Sequence, residues 1–331
     1  MFTLCRASLF LLALALFPLS AAAWDRGDVD KFATLPTGAT HPEGITVDTH
    51  GDVYVTTFDP SGAPPGRLIV FGSDGGLKRE VHIAGASGAL LGLAFHPQTE
   101  ELLVLDLGQA RVLSVNPFSG ASTIFAQAPT GSGLNALAFD RAGNVYISDS
   151  FQGIIWKTGR RGGAPVVWVT DPLLTTKGTP GFGANGLDFN RNESSLFVAN
   201  TGDDRVIRIP VTAGTAGKPE VFVNSINGAD GLFVDEHDNV WVCANQADEI
   251  VVVDKTGRAI AKLGDFNGVR DGAPVGFLFP ASLVRKGDWI YVTNLSLDIR
   301  TVGAAQAVDS QWAAAVTSHT VSRIRARLPR Q

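Results

Sequence analysis

Apolar and polar residues alternate in short stretches along most of the chain, and the alternation restarts at near-regular intervals. Six stretches open with a small residue, then Leu or Ile, then alternate: GITVD (44–48), GLAFH (92–96), ALAFD (136–140), GLDFN (186–190), GLFVD (231–235) and SLVRK (282–286). Their starts lie 48, 44, 50, 45 and 51 residues apart. A period of two is the mark of a strand with one face buried. A second alternating run follows each: DVYVTT (52–57), ELLVLD (101–106), NVYISD (144–149), SLFVAN (195–200), NVWVCA (239–244) and WIYVTN (289–294). Between the two runs lie turn formers such as Asp140-Arg141-Ala142-Gly143-Asn144 and Asp235-Glu236-His237-Asp238-Asn239, which predict tight hairpins.

A third run is visible in most repeats, as in RLIVF (67–71) and EIVVV (249–253). A fourth appears as STIFAQ (122–127), PVVWVT (165–170) and EVFVNS (220–225). Four strands per repeat at this period predict an all-β, six-bladed β-propeller with four-stranded blades. KFATL (31–35) precedes the first repeat, and the last repeat has a late third strand at 320–328 and no fourth. The N-terminal strand is therefore expected to complete the last blade, which removes an open edge. Residues 297–318 then form an insertion in that blade.

Composition refines this picture at few points. Thirty-seven glycines and only 18% charged residues suit many short strands and tight turns. The net charge of −5 and the absence of a Lys/Arg cluster exclude a nucleic-acid footprint. Ala7 to Leu19 is an apolar run behind Arg6, and Ala21-Ala22-Ala23 supplies a cleavage signal. Residues 1–23 therefore read as a secretory signal peptide and 24–331 as one propeller domain, secreted or periplasmic, free of the membrane once cleaved, and expected to be a monomer. Cys243 is then the only cysteine left, so no intramolecular disulfide is expected.

The residue before each shared small residue is Glu43, Leu91, Asn135, Asn185, Asp230 and Ala281. In a propeller the inner strands line a central channel, so these six positions meet at one mouth of it. Four carry a side-chain oxygen. Asn-Gly and Asp-Gly are ordinary turn pairs, but Glu43 is no turn former, and grouped carboxylates repel unless a cation neutralises them. An all-oxygen set suits a hard cation, Ca²⁺ ahead of Mg²⁺ or Mn²⁺, with Zn²⁺ a further candidate. Gly181, Gly183 and Gly186 also fit G-x-G-x-x-G, but a strand follows where a dinucleotide site needs a helix.

On HPEG (41–44), LNALAFD (134–140), ANGLDF (184–189) and ADGLFVD (229–235), the chain resembles the SMP-30/gluconolactonase/LRE-like family of six-bladed propellers, related to the diisopropylfluorophosphatase and paraoxonase type. The resemblance implies that Glu43, Asn135, Asn185 and Asp230 hold a divalent metal, and that the substrate is a small-molecule lactone or related ester. It departs from the sugar-lactonase pattern near the second ligand, where Gly133, Leu134 and Ala136 stand in place of an arginine and an Asp-Gly. Leu91 and Ala281 on the ring, with Phe182, Phe277 and Phe279 in nearby loops, suggest a less polar substrate.

Asp230 is the candidate general base, with direct attack by its carboxylate open as an alternative. Glu43 would chiefly hold the metal and set the charge of the site. No G-x-S-x-G elbow or H-E-x-x-H is present. His50, His96 and His237 fall in predicted turns and are expected at the surface. His41, two residues before Glu43, is within reach of the ligands, and Cys243 is expected to be a buried apolar residue. Two other functions stay open on the residues alone: a non-catalytic binding propeller with a structural Ca²⁺, and a strictosidine synthase-like enzyme on the same frame.

Overall fold

The computed structural model describes residues 25–304 and 310–328. The segment read as a signal peptide lies outside the described residues, as do residues 305–309 of the insertion. Six four-stranded antiparallel sheets stand in a ring, and each inner strand packs on the next until the sixth meets the first. The inner strands are Pro42–Val47, Leu90–Phe95, Leu134–Phe139, Ala184–Phe189, Ala229–Val234 and Pro280–Lys286, here numbered as blades one to six.

Burial grades outward within a blade. The second strands, such as Val53–Thr57, Val145–Asp149 and Val240–Ala244, are buried throughout, because both faces pack on neighbouring blades. The outer strands, such as Gly162–Thr170 and Glu220–Asn224, keep only partial burial. Apolar layers between blades form the core. Between the last blade and the first, Phe32, Val55, Ile69, Phe71, Tyr291 and Val321 interlock.

The expected closure is present. Val29–Thr34 pairs antiparallel with Thr320–Arg325 as the outer strand of blade six. The segment before it is fixed as well: Arg26 donates to Glu249 Oε2 (2.7 Å) and to the Gly264 carbonyl (2.6 Å), which ties the start of the domain to blade five.

The outer strands that four-stranded blades require are present in blades one and five as Leu77–Ile83 and Ala259–Leu263, where polar residues hid the alternation from the sequence. A separate hairpin, Phe266–Arg270 with Ala273–Gly276, lies between blades five and six. The insertion holds a 3₁₀ turn at Ile299–Val302 and one helical turn at Ser310–Ala313. It packs on that hairpin through Phe266 and Trp312 (ring centroids 5.9 Å apart) and through Thr317 N, which donates to the Gly272 carbonyl.

Candidate functional site

The ring positions adopt one local structure in all six blades. Pairing of each inner strand with its neighbour slips between Pro42 and Ile45, Leu90 and Leu93, Leu134 and Leu137, Ala184 and Leu187, Ala229 and Leu232, and Pro280 and Leu283. The two residues passed over are always the ring residue and the small one after it. Such a bulge re-aims side chains out of the regular pleat. Asn185-Gly186 is thus a bulge inside a strand rather than a hairpin turn.

The small residue has a steric reason. A Cβ on Gly44 would lie 2.4 Å from the Leu91 carbonyl oxygen, on Gly92 2.7 Å from that of Asn135, on Gly186 2.5 Å from that of Asp230, and on Gly231 2.6 Å from that of Ala281. The obstructing atom is each time the backbone of the next ring residue. Glycine therefore lets adjacent inner strands approach closely enough to gather the ring. In blades one, three and six the displaced backbone amide is satisfied by a hydroxyl of the second strand. Gly44 N donates to Thr56 Oγ1 (3.0 Å), which donates on to the Leu91 carbonyl (2.6 Å). Thr293 Oγ1 accepts likewise from Ser282 N (3.0 Å) and donates to the Glu43 carbonyl (2.6 Å).

Glu43, Asn135, Asn185 and Asp230 come together. All four line one pocket, and none is more than 5% exposed. Asn135 Nδ2 donates to Ser150 Oγ (3.1 Å) and Asn185 Nδ2 to Thr201 Oγ1 (2.9 Å). Those hydroxyls in turn donate to the Ala184 and Ala229 carbonyls (2.6 and 2.7 Å). With their nitrogens engaged, both amides have their oxygens free to serve the pocket. Asn245 Nδ2 donates to Asp230 Oδ2 (2.8 Å), while Asp230 Oδ1 and Glu43 Oε2 are buried with no hydrogen-bond partner.

Burial pushes Asp230 up to about 7, held down in part by the neighbouring Asn245 and Asn185 amides. Glu43 is raised well above the carboxylate range by burial and by the charge of Asp230. Buried polar atoms ordinarily find partners. Two partnerless carboxylate oxygens beside two available amide oxygens are a donor set that fits a hard divalent cation.

Beyond Thr201 and Asn245 the remainder of the pocket is apolar, with Phe58, Leu91, Phe182, Phe279, Leu295 and Ile299 among its walls. Phe182 and Phe279 therefore line the pocket as the sequence suggested. Phe277 does not: it is fully buried between blades five and six, against Trp241 and Leu283. His41 Nδ1 meets the Leu295 carbonyl (3.0 Å) and its ring packs edge-on against His319 (4.5 Å), so it braces the wall rather than lining it. His96, expected at the surface, is buried. Its Nε2 contacts the Gly143 carbonyl (2.9 Å) and its Nδ1 faces the Gln98 and Thr99 amides (3.2 Å each), locking one hairpin turn to the next. Cys243 is fully buried, and burial together with the two site carboxylates raises its thiol pKa.

Sequence reasoning missed Ser150, Thr201 and Asn245. They occupy one equivalent place, directly after the second strand, and a signal was available: this position is polar in the same three consecutive blades whose ring residues are Asn, Asn and Asp. Among the described residues, Asp235, Glu236 and His237 also lie close together. The Asp235 oxygens already accept from Trp241 Nε1 (2.9 Å), Asn239 (2.9 Å) and the His237 amide (2.8 Å), so they shape a hairpin turn.

Residues 67–264 match the SMP-30/gluconolactonase/LRE-like region. The chain belongs to the SMP-30/gluconolactonase/LRE-like family. No curated protein sequence matches it. Its fold is similar to that of a calcium-binding protein, regucalcin, from Agrobacterium tumefaciens (17% identity over 90% of this chain and 97% of that one, TM-score 0.61). It is similar also to a gluconolactonase from Xanthomonas campestris (14%, 88% of each, 0.60) and to a streptogramin B lyase (13%, 92% and 99%, 0.60). At these identities the likeness carries the fold alone. In this member of the SMP-30/gluconolactonase/LRE-like family, the chemistry has to be read from its own pocket.

Proposed function

We propose that this protein is a divalent-metal-dependent hydrolase of lactones or related esters, acting outside the cytoplasm as a monomer on substrates less polar than a sugar lactone. The observation that carries the reading is the pair of partnerless carboxylate oxygens, Glu43 Oε2 and Asp230 Oδ1, facing a pocket whose other walls are largely apolar. A lactonase-type function is in keeping with membership of a family named for gluconolactonase, and a calcium site with a neighbour described as calcium-binding.

Glu43, Asn135, Asn185 and Asp230 would hold the ion, a hard cation because all four donors are oxygen, with Ca²⁺ ahead of Mg²⁺ because four side chains converge where Mg²⁺ would keep most of its waters. When bound, it supplies Lewis acidity toward an acyl carbonyl and toward water. The residues of the chain do the rest. Asn135 and Asn185 contribute neutral oxygens, which keep the site from growing too anionic for an ester. Asp230 is buried and Asn245 fixes its carboxylate through Oδ2, so the group is held in the pocket where it could take a proton from attacking water. The apolar walls exclude bulk solvent and strengthen these charge interactions.

The test is pH-stat hydrolysis of lactones and aryl esters by the mature protein as isolated, after EDTA, and after Ca²⁺ is restored. Activity that disappears and returns is the expected result. No turnover on any substrate, with Ca²⁺ still raising the melting temperature, would replace the hydrolase with a binding propeller that carries a structural ion.

A further inference from the structure

We propose that the sixth-blade insertion builds a hydrocarbon subsite beside the oxygen ring, so that the preferred substrate is a lactone bearing an alkyl substituent. This rests on the hydrolase reading above and sharpens its substrate. The pocket is split by blade. Two positions per blade set its character, the ring residue and the residue after the second strand, and all of these but Leu107, Ser150 and Ala281 line it. Blades three to five fill them with Asn135 and Ser150, Asn185 and Thr201, Asp230 and Asn245. The same two positions in blade six are Ala281 and Leu295, and in blade two Leu91 and Leu107. In blade one they are Glu43 and Phe58. One arc of the pocket thus offers polar groups, and the arc facing it offers almost none.

The insertion deepens the apolar arc. Leu297 and Ile299 are buried in a cluster that continues into Phe58 and Leu91, and Val302 stands at the rim, 37% exposed. Asp298 fixes their path, since its side chain accepts from the Arg300 amide (3.1 Å) and caps the 3₁₀ turn. Phe279 completes the wall from a left-handed backbone (φ 50°) that bulky residues rarely adopt. Two bonds hold it there: its amide donates to Asp248 Oδ1 (2.7 Å), and its carbonyl accepts from Leu295 N (3.1 Å). Strain maintained in this way is common where a side chain must be aimed.

A substrate with its acyl carbonyl at the oxygen ring would have its substituent against this arc. Hydroxyls there would be left without partners, whereas methylenes would leave water for an apolar surface already in place. The arc therefore selects for hydrocarbon, and the four-oxygen ring for the carbonyl beside it.

The experiment uses the Ca²⁺-loaded mature protein and a series of γ-lactones with n-alkyl groups of increasing length on the ring. kcat/KM is measured for each, and affinity is measured calorimetrically for the matching lactams, which resist hydrolysis. Both should rise about fourfold per methylene until the pocket is full. Leu297→Ser should flatten the series. Val302→Thr, at the exposed rim and safer for folding, should flatten its longer members. Hydrolysis with no dependence on chain length would overturn the subsite and leave the hydrolase standing. Lactam affinity that grows with chain length in the absence of hydrolysis would uphold the subsite and sink the hydrolase. Flat behaviour in both would sink the subsite.

Discussion

Removing the metal should expose a pH dependence of stability that belongs to Asp230. The unfolded chain releases this proton near 3.8, whereas the folded, metal-free protein holds it to about 7. Between those values the folded state carries a proton that the unfolded state has lost. Stability from this group is therefore complete at low pH and declines as pH rises, until it is exhausted above about 7. At about 1.4 kcal/mol per pH unit, the decline integrates to about 4 kcal/mol. Its buried neighbour Glu43 is raised as well and pulls in the same direction. His41 and His319 pull the other way, because both are held below the ordinary histidine value, His319 at about 3. The profile of the wild type alone therefore mixes opposite slopes, and the quantity to measure is its difference from Asp230→Asn, which leaves the histidines in place. Urea unfolding in EDTA at several values between about pH 5 and about pH 8 gives that difference. Relative to the variant, the wild type should lose most of its advantage across this range. Ca²⁺ should restore it at the alkaline end, where the ion takes the place of the proton. A difference that does not change with pH would refute the account of Asp230 as a buried carboxyl whose charge awaits a cation.

The histidine pair gives the complementary case. Below about 6.5 the unfolded chain protonates while His319 does not, so stability falls as the solution is acidified, and His319→Leu should flatten that acid limb of the unfolding profile in EDTA. Gly186→Ala should destabilise the fold by about 2–4 kcal/mol in urea unfolding and weaken Ca²⁺ binding, since the added carbon would sit 2.5 Å from the Asp230 carbonyl oxygen and 2.6 Å from Leu232 N, neither of which can swing aside. Asn245→Ala should lower Ca²⁺ affinity, read by calorimetry, by about tenfold or more, because it frees the Asp230 oxygen that Asn245 now holds; an unchanged affinity would remove Asn245 from the site.

The propeller was legible because its second strands are rich in β-branched and aromatic residues and recur at near-regular intervals, as in NVYISD and NVWVCA. What escaped lies where that signal is absent. The outer strand Leu77–Ile83 reads LKREVHI, with Val81 and Ile83 as its buried positions, so its pattern is nearly that of a loop. The hairpin of Phe266–Arg270 and Ala273–Gly276 lies outside the repeat and had no counterpart to reveal it. His96 was misplaced for a related reason. A turn residue is ordinarily solvated, but here the next blade's turn lies against it, and Gly143 offers a carbonyl within 2.9 Å.

The site divides along a similar line. Glu43, Asn135, Asn185 and Asp230 could be found because all sit at one register of a sixfold repeat, where a run of oxygen-bearing side chains stands out against Leu91 and Ala281. Ser150, Thr201 and Asn245 occupy a second register of the same repeat, and each acts on the ring residue of its own blade. Two hydroxyls turn amide oxygens toward the pocket, and one amide steers a carboxylate. A polar group at the second register is useful only where the first register also carries one, and the two therefore change together around the ring. Blade one is the exception. Glu43 has Phe58 at the second register, and its Oε2 is left without a protein partner. Of the four oxygen-bearing ring residues, it is thus the one with no polar side chain at the second register of its own blade, which makes a bound cation its natural counterpart.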